Sequence, residues 1–560
     1  MAPSTLDLLM LTFNCAKNII NAAVFASHLN SAFKQNATGL PDVVVFSLQE
    51  VAPLSYSFIG GYFLSPYFAR YEEALNLAAT RYLSNADDAS SDSESVTVEP
   101  AALGPVRPYT LVRARNVGMT AIMLFARNPE AILRVQEAEV GFGAAEMGNK
   151  GAVALRVLYE GKTDDGENKA TELTFVATHL AAMEWNLPRR NANWAAIMRS
   201  LTFENPEDIL GPAKRLGEGE ESEGLHLLHD EHHAQTLALQ ERLQDISVFK
   251  TSSHLFVGGD LNYRISTTSP PPGATFPSLD AESEDHYSRF FPLDQLTRER
   301  EAGRTLHGMS EAEVKFPPTY KYDVLPVKDT RLAVDGVEDV PWVFAPHRYP
   351  GWTDRILFLD TPSWAKGKPP KVDVKAYDAM PVVRSSDHRA VYLRASVPLL
   401  SEEELARPAE LTNGNAADPR LVLPVAIDPE AWERRAAARR KEVLVGYSMF
   451  LWSTKQGALV LATLLAIGAG AWWLWQFWAV HVMNDATHLS PSRDGVENER
   501  GSGFRFSPLS RRDSAGNQLA AQDGLTTRHV VGKRLPRVSA HFTTVHYVYN
   551  TRTGVWLGIS

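Results

Sequence analysis

Short apolar runs between residues 5 and 398 constrain the fold of this 560-residue chain more than any other feature. Each run is rich in β-branched or aromatic residues and is bounded by turn-forming residues, which is typical of a buried strand. Residues 192–203 and 234–246 instead show the spacing of amphipathic helices. Many strands with interspersed helices predict a large α/β or α+β domain built on more than one sheet. The predicted strands are Leu6–Phe13, Val43–Leu48, Val117–Phe125, Ala152–Val157, Thr174–Thr178, Leu255–Gly258, Arg355–Leu359 and Ala390–Leu393.

The composition narrows the class of protein. Hydrophobic residues make up 44% of the chain and charged residues 22%, which is the balance of a folded protein. The net charge of -10 argues against a main role in gripping nucleic acid, although a local basic groove on an acidic body stays compatible with it. Cys15 is the only cysteine, so a disulfide framework and a cysteine-based zinc site are excluded and a reducing compartment is favoured.

Three polar stretches interrupt the predicted domain as surface insertions. Residues 84–100 are acidic and Ser-rich and are expected to be disordered, and residues 217–233 and 267–285 have the composition of loops. The four histidines within 217–233 lie beside acidic residues, and we interpret them as a solvated helix start in preference to a metal site.

The 24 residues Gly457–Val480 contain no charged side chain. A helix of this length spans the ~30 Å hydrocarbon core of a membrane. The tryptophan-rich end of the stretch, Trp472 to Trp478, is typical of an interfacial aromatic belt. A buried core helix is the alternative, but such a helix is normally shorter and polar on one face. The sequence therefore predicts a single C-terminal transmembrane helix.

Basic residues are more frequent before this apolar stretch than after it, which predicts that the preceding residues face the cytosol. The N-terminus lacks the basic and long apolar regions of a signal peptide, so we expect insertion after synthesis, into the endoplasmic reticulum or another endomembrane. The basic segment "ERRAAARRKE" suits either a solvated helix face or contact with anionic lipid headgroups. The expected organisation is a catalytic domain over 1–400, a charged linker with this juxtamembrane basic segment over 401–456, a transmembrane helix over 457–480, and an unassigned tail, expected to be disordered, over 481–560.

Polar side chains follow several predicted strands at the point where each strand ends. Asp260 and Asn262 come after Leu255–Gly258, and residues i and i+2 of an extended strand point to the same side. A paired acid and amide suits general-base work beside an anion, although an Asx turn would explain the same tetrapeptide. Other strand ends carry matching groups, which favours one shared site. These groups are Asn14, Glu50, His179, Asp354, Asp387 and His388.

The residue types in this set predict a hard divalent cation. Oxygen ligands without cysteine favour Mg²⁺, which needs only one or two carboxylates and keeps several of its waters. A single polar residue at a strand end usually caps the strand or bonds locally, but a whole series of them in chain order indicates a site. We therefore expect one Mg²⁺ ion and one activated water at this edge.

The same residues belong to a series of motifs that resembles the inositol polyphosphate 5-phosphatases of the endonuclease/exonuclease/phosphatase superfamily. The resemblance covers about residues 5–398, and its most specific parts are "GDLNYRI" and "PGWTDRIL". It implies an α/β (α+β) sandwich of two packed mixed β-sheets flanked by helices, with the site at one edge of the sandwich. The motifs are "LTFN", "SLQE", "GNKGAV", "ATHLAA" followed by "RRNANW", "GGDLNYRI", "PPTYKYD", "PGWTDRIL" and "SSDHRAV".

The resemblance also implies a role for each matching residue. Glu50 binds the Mg²⁺, assisted by Asn14 directly or through water. Asp260 orients and deprotonates the attacking water, and Asn262 holds the phosphate. No covalent phosphoenzyme is expected.

Four further residues complete the implied catalytic set. His388 donates to a phosphate oxygen and is oriented by Asp354. Asp387 lies beside the metal, and His179 contacts the scissile phosphate from the other side. The residues implied to bind the substrate, several of them at a second ring phosphate, the 4-phosphate, are Asn149, Lys150, Tyr320, Lys321 and Arg348.

The chain departs from the family pattern at two positions. Pro346 stands two residues before Arg348 where many members carry a basic residue, which weakens the inference of tight 4-phosphate recognition. Thr353 stands where members often have cysteine, a change that we expect to be neutral. We interpret Arg264 and Arg355 as structural.

The resemblance implies Mg²⁺-dependent hydrolysis of the 5-phosphate of phosphoinositides. A membrane anchor keeps the site near lipid headgroups, which favours phosphatidylinositol 4,5-bisphosphate over soluble inositol phosphates. Two alternatives stay open: another superfamily phosphodiesterase, a nuclease or a sphingomyelinase, and a catalytically inactive phosphoinositide-binding membrane tether. The "TYKYD" and "NYRI" motifs and the acidic balance argue against a nucleic-acid partner, and every expected catalytic position is filled.

Overall fold

The computed structural model describes residues 4–36, 39–90, 107–163, 165–217, 238–326, 340–407 and 418–488, together with two strands within 546–559. The chain divides into two units, residues 1–477 and 478–560. Parts of two predicted insertions, 91–100 and 218–233 with its four histidines, lie outside the described residues. The third insertion, 267–285, is a loop without helix or strand.

The strands alternate with helices along the first unit, as the sequence predicts. In chain order the strands are β1 (Thr5–Asn14), β2 (Val43–Gln49), β3 (Thr110–Val117), β4 (Thr120–Ala126), β5 (Ile132–Gly141), β6 (Gly151–Lys162), β7 (Asn168–His179), β8 (Ser253–Asp260), β9 (Tyr322–Val324), β10 (Trp342–Phe344), β11 (Asp354–Phe358), β12 (Asp373–Ala379), β13 (Val391–Pro398), β14 (His546–Asn550) and β15 (Val555–Ile559). The helices are α1 (Ala22–Lys34), α2 (Leu54–Ile59), α3 (Ser65–Ser90), α4 (Leu187–Ser200), α5 (Pro206–Gly217), α6 (238–246), α7 (Gln295–Glu301), α8 (Glu402–Leu405), α9 (Ala431–Ser453) and α10 (Lys455–His488).

Two mixed sheets form the body of the first unit. One sheet has the strand order β12-β13-β1-β2-β4-β3, and its β1–β2 pair is parallel. The other has the order β11-β8-β7-β6-β5, and its β7–β8 pair is parallel. Two antiparallel pairs stand apart from these sheets: β9–β10 in the first unit, and β14–β15 in the tail that the sequence left unassigned.

Strand β1 shows why both faces of the sheets are buried. Leu8 and Met10 point toward the second sheet, where they share an apolar cluster with Phe175 and Phe256. Leu9 points the opposite way, into the cluster formed with α1 and α3, and α4 covers the far face of the second sheet. Burial on both sides makes the central strands continuously apolar, which is why their sequences predict them. The predicted fold class, two packed mixed sheets flanked by helices, is confirmed.

The sequence predictions are wrong for three of the four strands at the sheet edges, β3, β5 and β12, whereas the buried edge strand β11 matches its prediction. Residues 117–125, predicted as one strand, form the end of β3 and most of β4, separated by a turn in which Gly118 has a φ of 48°. β3, β5 and β12 lie at sheet edges, and most of their side chains are partly or fully exposed to solvent. Their polar and apolar residues therefore alternate, and no apolar run marks them in the sequence.

Part of the segment 401–456, expected to be a charged linker, is built into the first unit. α8 and α9 both fold there, and α9 packs against α2, α4 and β5. Two of its charges are paired with the protein, because Arg435 and Arg439 both contact the buried carboxylate of Glu442. Arg440 and Lys441 of the same segment are exposed, so for these two residues both interpretations, a solvated face and a lipid-binding face, stay predictions.

The described residues include one helix that is long and apolar enough to cross a membrane. It is α10, whose stretch Lys455–Met483 has a mean hydropathy of 1.8 in its most apolar window. Only 6% of that window is buried, whereas the core helix of a soluble protein would be mostly buried. Large apolar side chains of α10 are exposed, including Leu465 and Trp472. The helix matches the predicted span Gly457–Val480 in position and composition.

The buried His254 of β8 is expected to make the fold sensitive to acid. Its Nε2 lies 3.1 Å from the carbonyl oxygen of Pro398, and burial lowers its pKa from 6.5 to about 4. Because the pKa of His254 is lower in the folded state than in the unfolded state, unfolding takes up a proton between these two pKa values. The free energy of unfolding is therefore highest above the unfolded-state pKa and falls as the pH drops toward the folded-state pKa. We expect urea unfolding to show about 2 kcal/mol less stability at pH 5 than at pH 7 from this residue alone. His254→Gln should lose that share of the pH dependence, and an unchanged pH profile in the variant would contradict the assignment.

Candidate active site

Three neighbouring strand ends of the second sheet carry a histidine and two aspartates. β7 and β8 are parallel, and their register pairs His179 with Asp260. β11 runs antiparallel to β8, so its first residue, Asp354, pairs with Asp260 from the other side. All three side chains are buried. The register of two strand pairs therefore places one imidazole and two carboxylates side by side.

The first sheet contributes Asn14 to this group. Its Nδ2 donates to Oδ2 of Asp260 across a distance of 3.0 Å. The sheets approach closely just before this point, where Oγ of Ser47 donates to the carbonyl of Gly258 at 2.8 Å. A Cβ atom on Gly258 would lie 2.8 Å from Cε of Met10, the flexible end of that side chain, so the methionine would have to move to admit it.

Asp260 is surrounded by donors. Besides the amide of Asn14, it accepts the backbone N–H of Asn262 at 3.1 Å and lies 3.2 Å from Nε2 of His179. Burial would raise the pKa of Asp260, but the contact with His179 and the positive charge of His388 lower it well below its usual range. Asp260 is therefore an anion throughout the physiological pH range.

Lys150 supplies a half-buried ammonium beside His179. Its Nζ lies against Nε2 of the imidazole. Burial and this neighbouring cation lower the pKa of His179, so the ring is neutral near pH 7. Burial also lowers the pKa of Lys150 to about 8, although the carboxylates of Asp260 and Glu50 favour its charged form. Lys150 thus keeps its proton at neutral pH.

Asp354 and His388 form a hydrogen-bonded pair. Nδ1 of His388 lies 2.9 Å from Oδ2 of Asp354, and the hydroxyls of Thr319 and Thr353 donate to the same oxygen at 2.7 and 2.8 Å. Burial raises the pKa of Asp354. Burial would lower the pKa of His388, but the carboxylates of Asp354 and then Asp260 raise it to about 9. The proton of the pair is therefore held by the imidazole at neutral pH.

The donor set fits a divalent cation. Asp260, Asp354 and His388 each offer one ligand atom within 4.8 Å of the others. Oδ1 of Asp354 is buried and makes no hydrogen bond within the described residues. The carboxylate oxygens suit a hard metal ion, whereas the protonated ring of His388 suits a phosphate oxygen.

The two predicted metal ligands lie at the neighbouring strand ends of the first sheet. Glu50 follows β2 with a φ of 47° and pairs with Nζ of Lys17 at 2.7 Å. Burial would raise the pKa of Glu50, but the nearby His179 and Lys17 lower it, so the carboxylate is ionised. The amide nitrogen of Asn14 is committed to Asp260, and its Oδ1 accepts the backbone N–H of Ala16 at 3.1 Å.

Asn262 does not continue strand β8. The strand ends at Asp260, and Asn262 has a φ of 57°, in the left-handed region that asparagine tolerates better than most residues. Its N–H turns back to Oδ1 of Asp260, so the predicted projection of both side chains from an extended strand is wrong and an Asx turn is observed. The side-chain amide donates to the carbonyl of Leu180 at 3.1 Å and accepts from Nη2 of Arg264.

Tyr320 and Lys321 frame His388. The ring centroid of Tyr320 lies 4.3 Å from that of the imidazole, and the guanidinium of Arg264 lies 4.5 Å from the same tyrosine ring. Nζ of Lys321 lies 3.0 Å from Oδ2 of Asp387, and Oδ1 of the same carboxylate lies 4.0 Å from Nε2 of His388. These groups form one wall around the imidazole.

The other two predicted substrate-binding residues make separate contacts. Arg348 donates to both carboxylate oxygens of Glu184, at 2.9 and 3.1 Å. Asn149 lies against Gly143, where a Cβ atom would collide with its Oδ1. Arg348 also contacts Sδ of Met183 at 3.4 Å, and within the described residues neither side chain is hydrogen-bonded to Asp260, Asp354 or His388.

The model of one protein family matches most of the first unit. That family is endonuclease/exonuclease/phosphatase family 2, and the match runs over residues 11–394, more than half of the chain. The chain belongs to this family. The superfamily membership that the motifs predicted is thereby confirmed.

Curated relatives of this family 2 chain are phosphatases of inositol phosphates or inositol lipids. A polyphosphatidylinositol phosphatase of Saccharomyces cerevisiae is 27% identical over 408 residues, which cover 72% of this chain and 28% of the relative. Synaptojanin of Caenorhabditis elegans is 26% identical over 57% of this chain and 22% of its own length. An inositol-1,4,5-trisphosphate 5-phosphatase of Schizosaccharomyces pombe is 27% identical over 51% of this chain and 19% of its own length. The chain spans less than a third of the length of these relatives.

One solved structure similar to this chain is the inositol polyphosphate 5-phosphatase domain of a synaptojanin, in complex with inositol (1,4)-bisphosphate and a calcium ion. The two chains are 20% identical, with a TM-score of 0.44. The match covers 78% of this chain and 93% of that domain.

The family 2 site of this chain includes groups that the sequence analysis did not assign. Oγ of Ser386 donates to the carbonyl of Asn14 at 2.6 Å and accepts the N–H of His388 at 3.0 Å, which ties the loop before β13 to the end of β1. Arg264, interpreted as structural, holds the amide of Asn262. Serine and arginine are common next to strand ends, so residue type alone does not indicate a role for Ser386 or Arg264. The one available signal is their position beside assigned residues in the motifs "SSDH" and "NYRI".

Gly118→Ala is expected to destabilise the family 2 domain beside its site. Gly118 has a φ of 48°, and a Cβ atom there would lie 1.8 Å from the carbonyl oxygen of Gly148. The backbone must shift, and we expect a loss of roughly 1–3 kcal/mol in the free energy of unfolding, measured in urea. Gly39→Ala is the control, because a Cβ atom at Gly39 meets nothing within 4 Å. Equal unfolding midpoints for both variants would contradict the prediction.

Proposed function

We propose that this chain hydrolyses the 5-phosphate of phosphoinositides, with phosphatidylinositol 4,5-bisphosphate as its preferred substrate. The observation that carries the proposal is the buried group of Asp260, Asp354 and His388, whose ligand atoms lie within 4.8 Å of one another. With Lys150 nearby, it combines an ionised carboxylate with two cations. Transfer of a phosphoryl group to water needs such an arrangement, an anion for the water and cations for the phosphate oxygens. The names of the relatives, a polyphosphatidylinositol phosphatase and an inositol-1,4,5-trisphosphate 5-phosphatase, support the substrate class.

In the proposed mechanism, Asp260 orients the attacking water and takes its proton as the new P–O bond forms. His388 donates from Nε2 to a phosphate oxygen, while Asp354 holds its Nδ1. Asn262 and His179 contact the phosphate from two further sides. The bond between phosphorus and the 5-oxygen of inositol breaks with its electron pair on the oxygen, which takes a proton from solvent, and Asp260 returns its proton to solvent, so the products are inorganic phosphate and the inositol 5-hydroxyl. Charge stabilisation and positioning, rather than a covalent intermediate, lower the barrier.

Glu50 and Asn14 are the residues proposed to hold a Mg²⁺ ion, with Asp387 beside it. The oxygen-rich donor set and the unpaired Oδ1 of Asp354 fit such an ion. A bound Mg²⁺ supplies positive charge for the phosphate oxygens. Glu50 is suited to the role because its carboxylate is ionised and its side chain is 24% exposed, which leaves it accessible from solvent.

Selection of the inositol ring is proposed to depend on basic and phenolic groups near His388. Lys321 and Arg348 are held by the carboxylates of Asp387 and Glu184, so a 4-phosphate meets donors that are already oriented. Arg348 carries five N–H donors and can bind a phosphate while it keeps its bonds to Glu184. The proposed substrate-binding residues are Asn149, Lys150, Tyr320, Lys321 and Arg348.

Asp260→Asn is expected to lower phosphate release by about 10²–10⁴-fold, because the amide cannot take the proton of the attacking water. The measurement is malachite-green phosphate release by the full chain in detergent, with Mg²⁺, over a panel of phosphoinositides and soluble inositol phosphates. Asp373→Asn is the matched control, since the side chain of Asp373 is 62% exposed on β12. Chelation with EDTA should stop release by the parent chain, and added Mg²⁺ should restore it.

The same panel distinguishes the competing functions. If Asp260→Asn releases phosphate as fast as Asp373→Asn does, the proposed mechanism is contradicted. Cleavage of nucleic acid or sphingomyelin, with no release from phosphoinositides, would identify another branch of the superfamily. Binding of phosphoinositides without turnover at any Mg²⁺ concentration would identify an inactive tether.

We further propose that α10 anchors the chain in an endomembrane, with the catalytic domain in the cytosol and the endoplasmic reticulum as the first membrane to test. The exposed apolar side chains and the hydropathy of Lys455–Met483 support this proposal. The catalytic domain is then best taken as residues 1–453, because α8 and α9 fold with it. An anchored site meets its lipid substrate at high local concentration.

Arginine at Leu464 and Ile467 is expected to release the chain from membranes. Each arginine at the centre of a span costs about 2.5–3.5 kcal/mol on insertion scales, so the double substitution opposes insertion strongly. Carbonate extraction of cell membranes measures the result: the parent chain should stay in the pellet and the variant should move to the supernatant. The same two arginines at Leu133 and Leu279, exposed leucines of the catalytic domain, are the control. A parent chain that carbonate extracts would contradict the anchor.

A further inference from the structure

We propose that Glu442 of helix α9 is a positioning residue for the loop that carries Lys150. The carboxylate is fully buried, and its Oε1 accepts the backbone N–H of Gly148 at 2.7 Å. Gly148 directly precedes Asn149 and Lys150, two residues of the proposed substrate site. The kinetic part of this inference rests on the proposed function, whereas its structural part does not.

Two arginines hold the carboxylate of Glu442 in place. Arg435 contacts both of its oxygens, at 2.5 and 3.0 Å, and Nη1 of Arg439 lies 3.3 Å from Oε2. Arg435 also bonds Glu139 of β5 at 2.8 Å, and Arg439 donates to the carbonyl of Ile59 at 3.1 Å. The carboxylate is thus fixed between the second sheet and the end of α2.

A buried ion pair of this kind adds little net stability, because desolvation of the charges offsets their attraction. A buried carboxylate, unlike an apolar side chain, supplies a hydrogen-bond acceptor at a defined position. Here the acceptor meets a backbone N–H that lies in the site loop, 294 residues away along the chain. Positioning of that loop is therefore the role that the geometry favours over stabilisation of α9.

Gly148 is held from both sides. Its carbonyl accepts the N–H of Met119 at 3.2 Å, and the carbonyl of Met119 accepts the N–H of Val51 at 3.1 Å. Val51 follows Glu50, the proposed metal ligand. One series of hydrogen bonds therefore runs from Glu442 through Gly148 to the segment that presents Glu50.

The loop is also short and closed at its base. Phe142 donates its N–H to the carbonyl of Lys150 at 2.8 Å, and Gly143 donates to the carbonyl of Met147 at 2.9 Å. A displacement of Gly148 is therefore passed to Lys150, two residues away, and to the contact between Lys150 and His179.

Helix α9 is brought close enough for this contact by Gly446. A Cβ atom there would lie 2.9 Å from Cβ of Phe58 and 3.1 Å from the backbone nitrogen of Ile59. α9 ends at Ser453, and α10 begins at Lys455. The helix that seats the site loop is therefore the one that leads directly into the apolar helix.

Three substitutions in the full chain, purified in detergent, test the inference. Glu442→Leu removes the acceptor, Glu442→Asp withdraws it by one methylene while keeping the charge, and Glu442→Gln retains an oxygen for Gly148. We expect kcat/KM for phosphate release to fall roughly 10-fold or more in the Leu and Asp variants, and less than about 3-fold in the Gln variant. Lys441→Gln is the control, because Lys441 is the exposed neighbour on the same helix.

A double-mutant cycle with Lys150→Ala separates positioning from a general structural role. If Glu442 acts through the loop, Glu442→Asp should lower kcat/KM less than about 3-fold when Lys150 is already absent. The same fold-loss with and without Lys150 would overturn the inference. So would Leu and Asp variants that match Lys441→Gln, or a Gln variant as impaired as the Leu variant.

Amide hydrogen exchange provides a readout that needs no enzymatic activity. The peptide covering residues 142–150 should exchange faster in the Leu and Asp variants than in the parent and the Gln variant, while peptides from β6 should not change. Unchanged exchange in residues 142–150 would overturn the inference even if the parent releases phosphate. A parent chain that releases no phosphate, with the expected exchange pattern, would instead overturn only the proposed function.

Discussion

The close approach of the two sheets at their strand ends is the constraint on which the site depends. The first sheet holds Asn14, and the second holds Asp260, so neither sheet alone contains the hydrogen bond between them. The hydrogen bond from Oγ of Ser47 to the carbonyl of Gly258 joins the two sheets just before this point. A hydrogen bond from Oγ of Ser386, in the loop before β13, to the carbonyl of Asn14 holds that loop at the end of β1. A sandwich that was looser here would keep its core but lose its site.

Two buried aspartates that are neighbours in register have opposite pKa shifts, and their donors explain the difference. Asp260 accepts from groups on both of its oxygens, so its charged form is favoured. Asp354 concentrates its hydrogen bonds on Oδ2 and leaves Oδ1 without a partner, so burial dominates and raises its pKa. The proton between Asp354 and His388 then lies on the imidazole. Environments that separate the pKa values of paired groups in this way assign distinct acid and base roles to chemically similar residues.

The central strands and the strand-end residues could be predicted from the sequence because each depends on local pattern. Strands buried on both faces are continuously apolar, and the polar residue that ends each one stands out. The edge strands β3, β5 and β12 could not be predicted this way, because solvent exposure interrupts their apolar pattern, whereas the edge strand β11 is buried and was predicted. The predicted geometry at Asn262 is wrong because the strand ends before this residue. Asn262 has a positive φ, so the alternation of side chains along β8 does not extend to it. The contact between Glu442 and Gly148 leaves no local pattern at all, since it joins residues 294 positions apart.

Helix α9 also determines when during synthesis the site becomes complete. The ribosome makes Gly148 before Glu442, and at about 5–20 residues per second the 294 intervening positions take roughly 15–60 s. Throughout that interval the nascent domain lacks the acceptor for the N–H of Gly148. Only Thr454 separates α9 from α10, so the completing helix and the apolar helix are made within seconds of each other. The timing of synthesis therefore couples maturation of the catalytic loop to the appearance of the apolar helix.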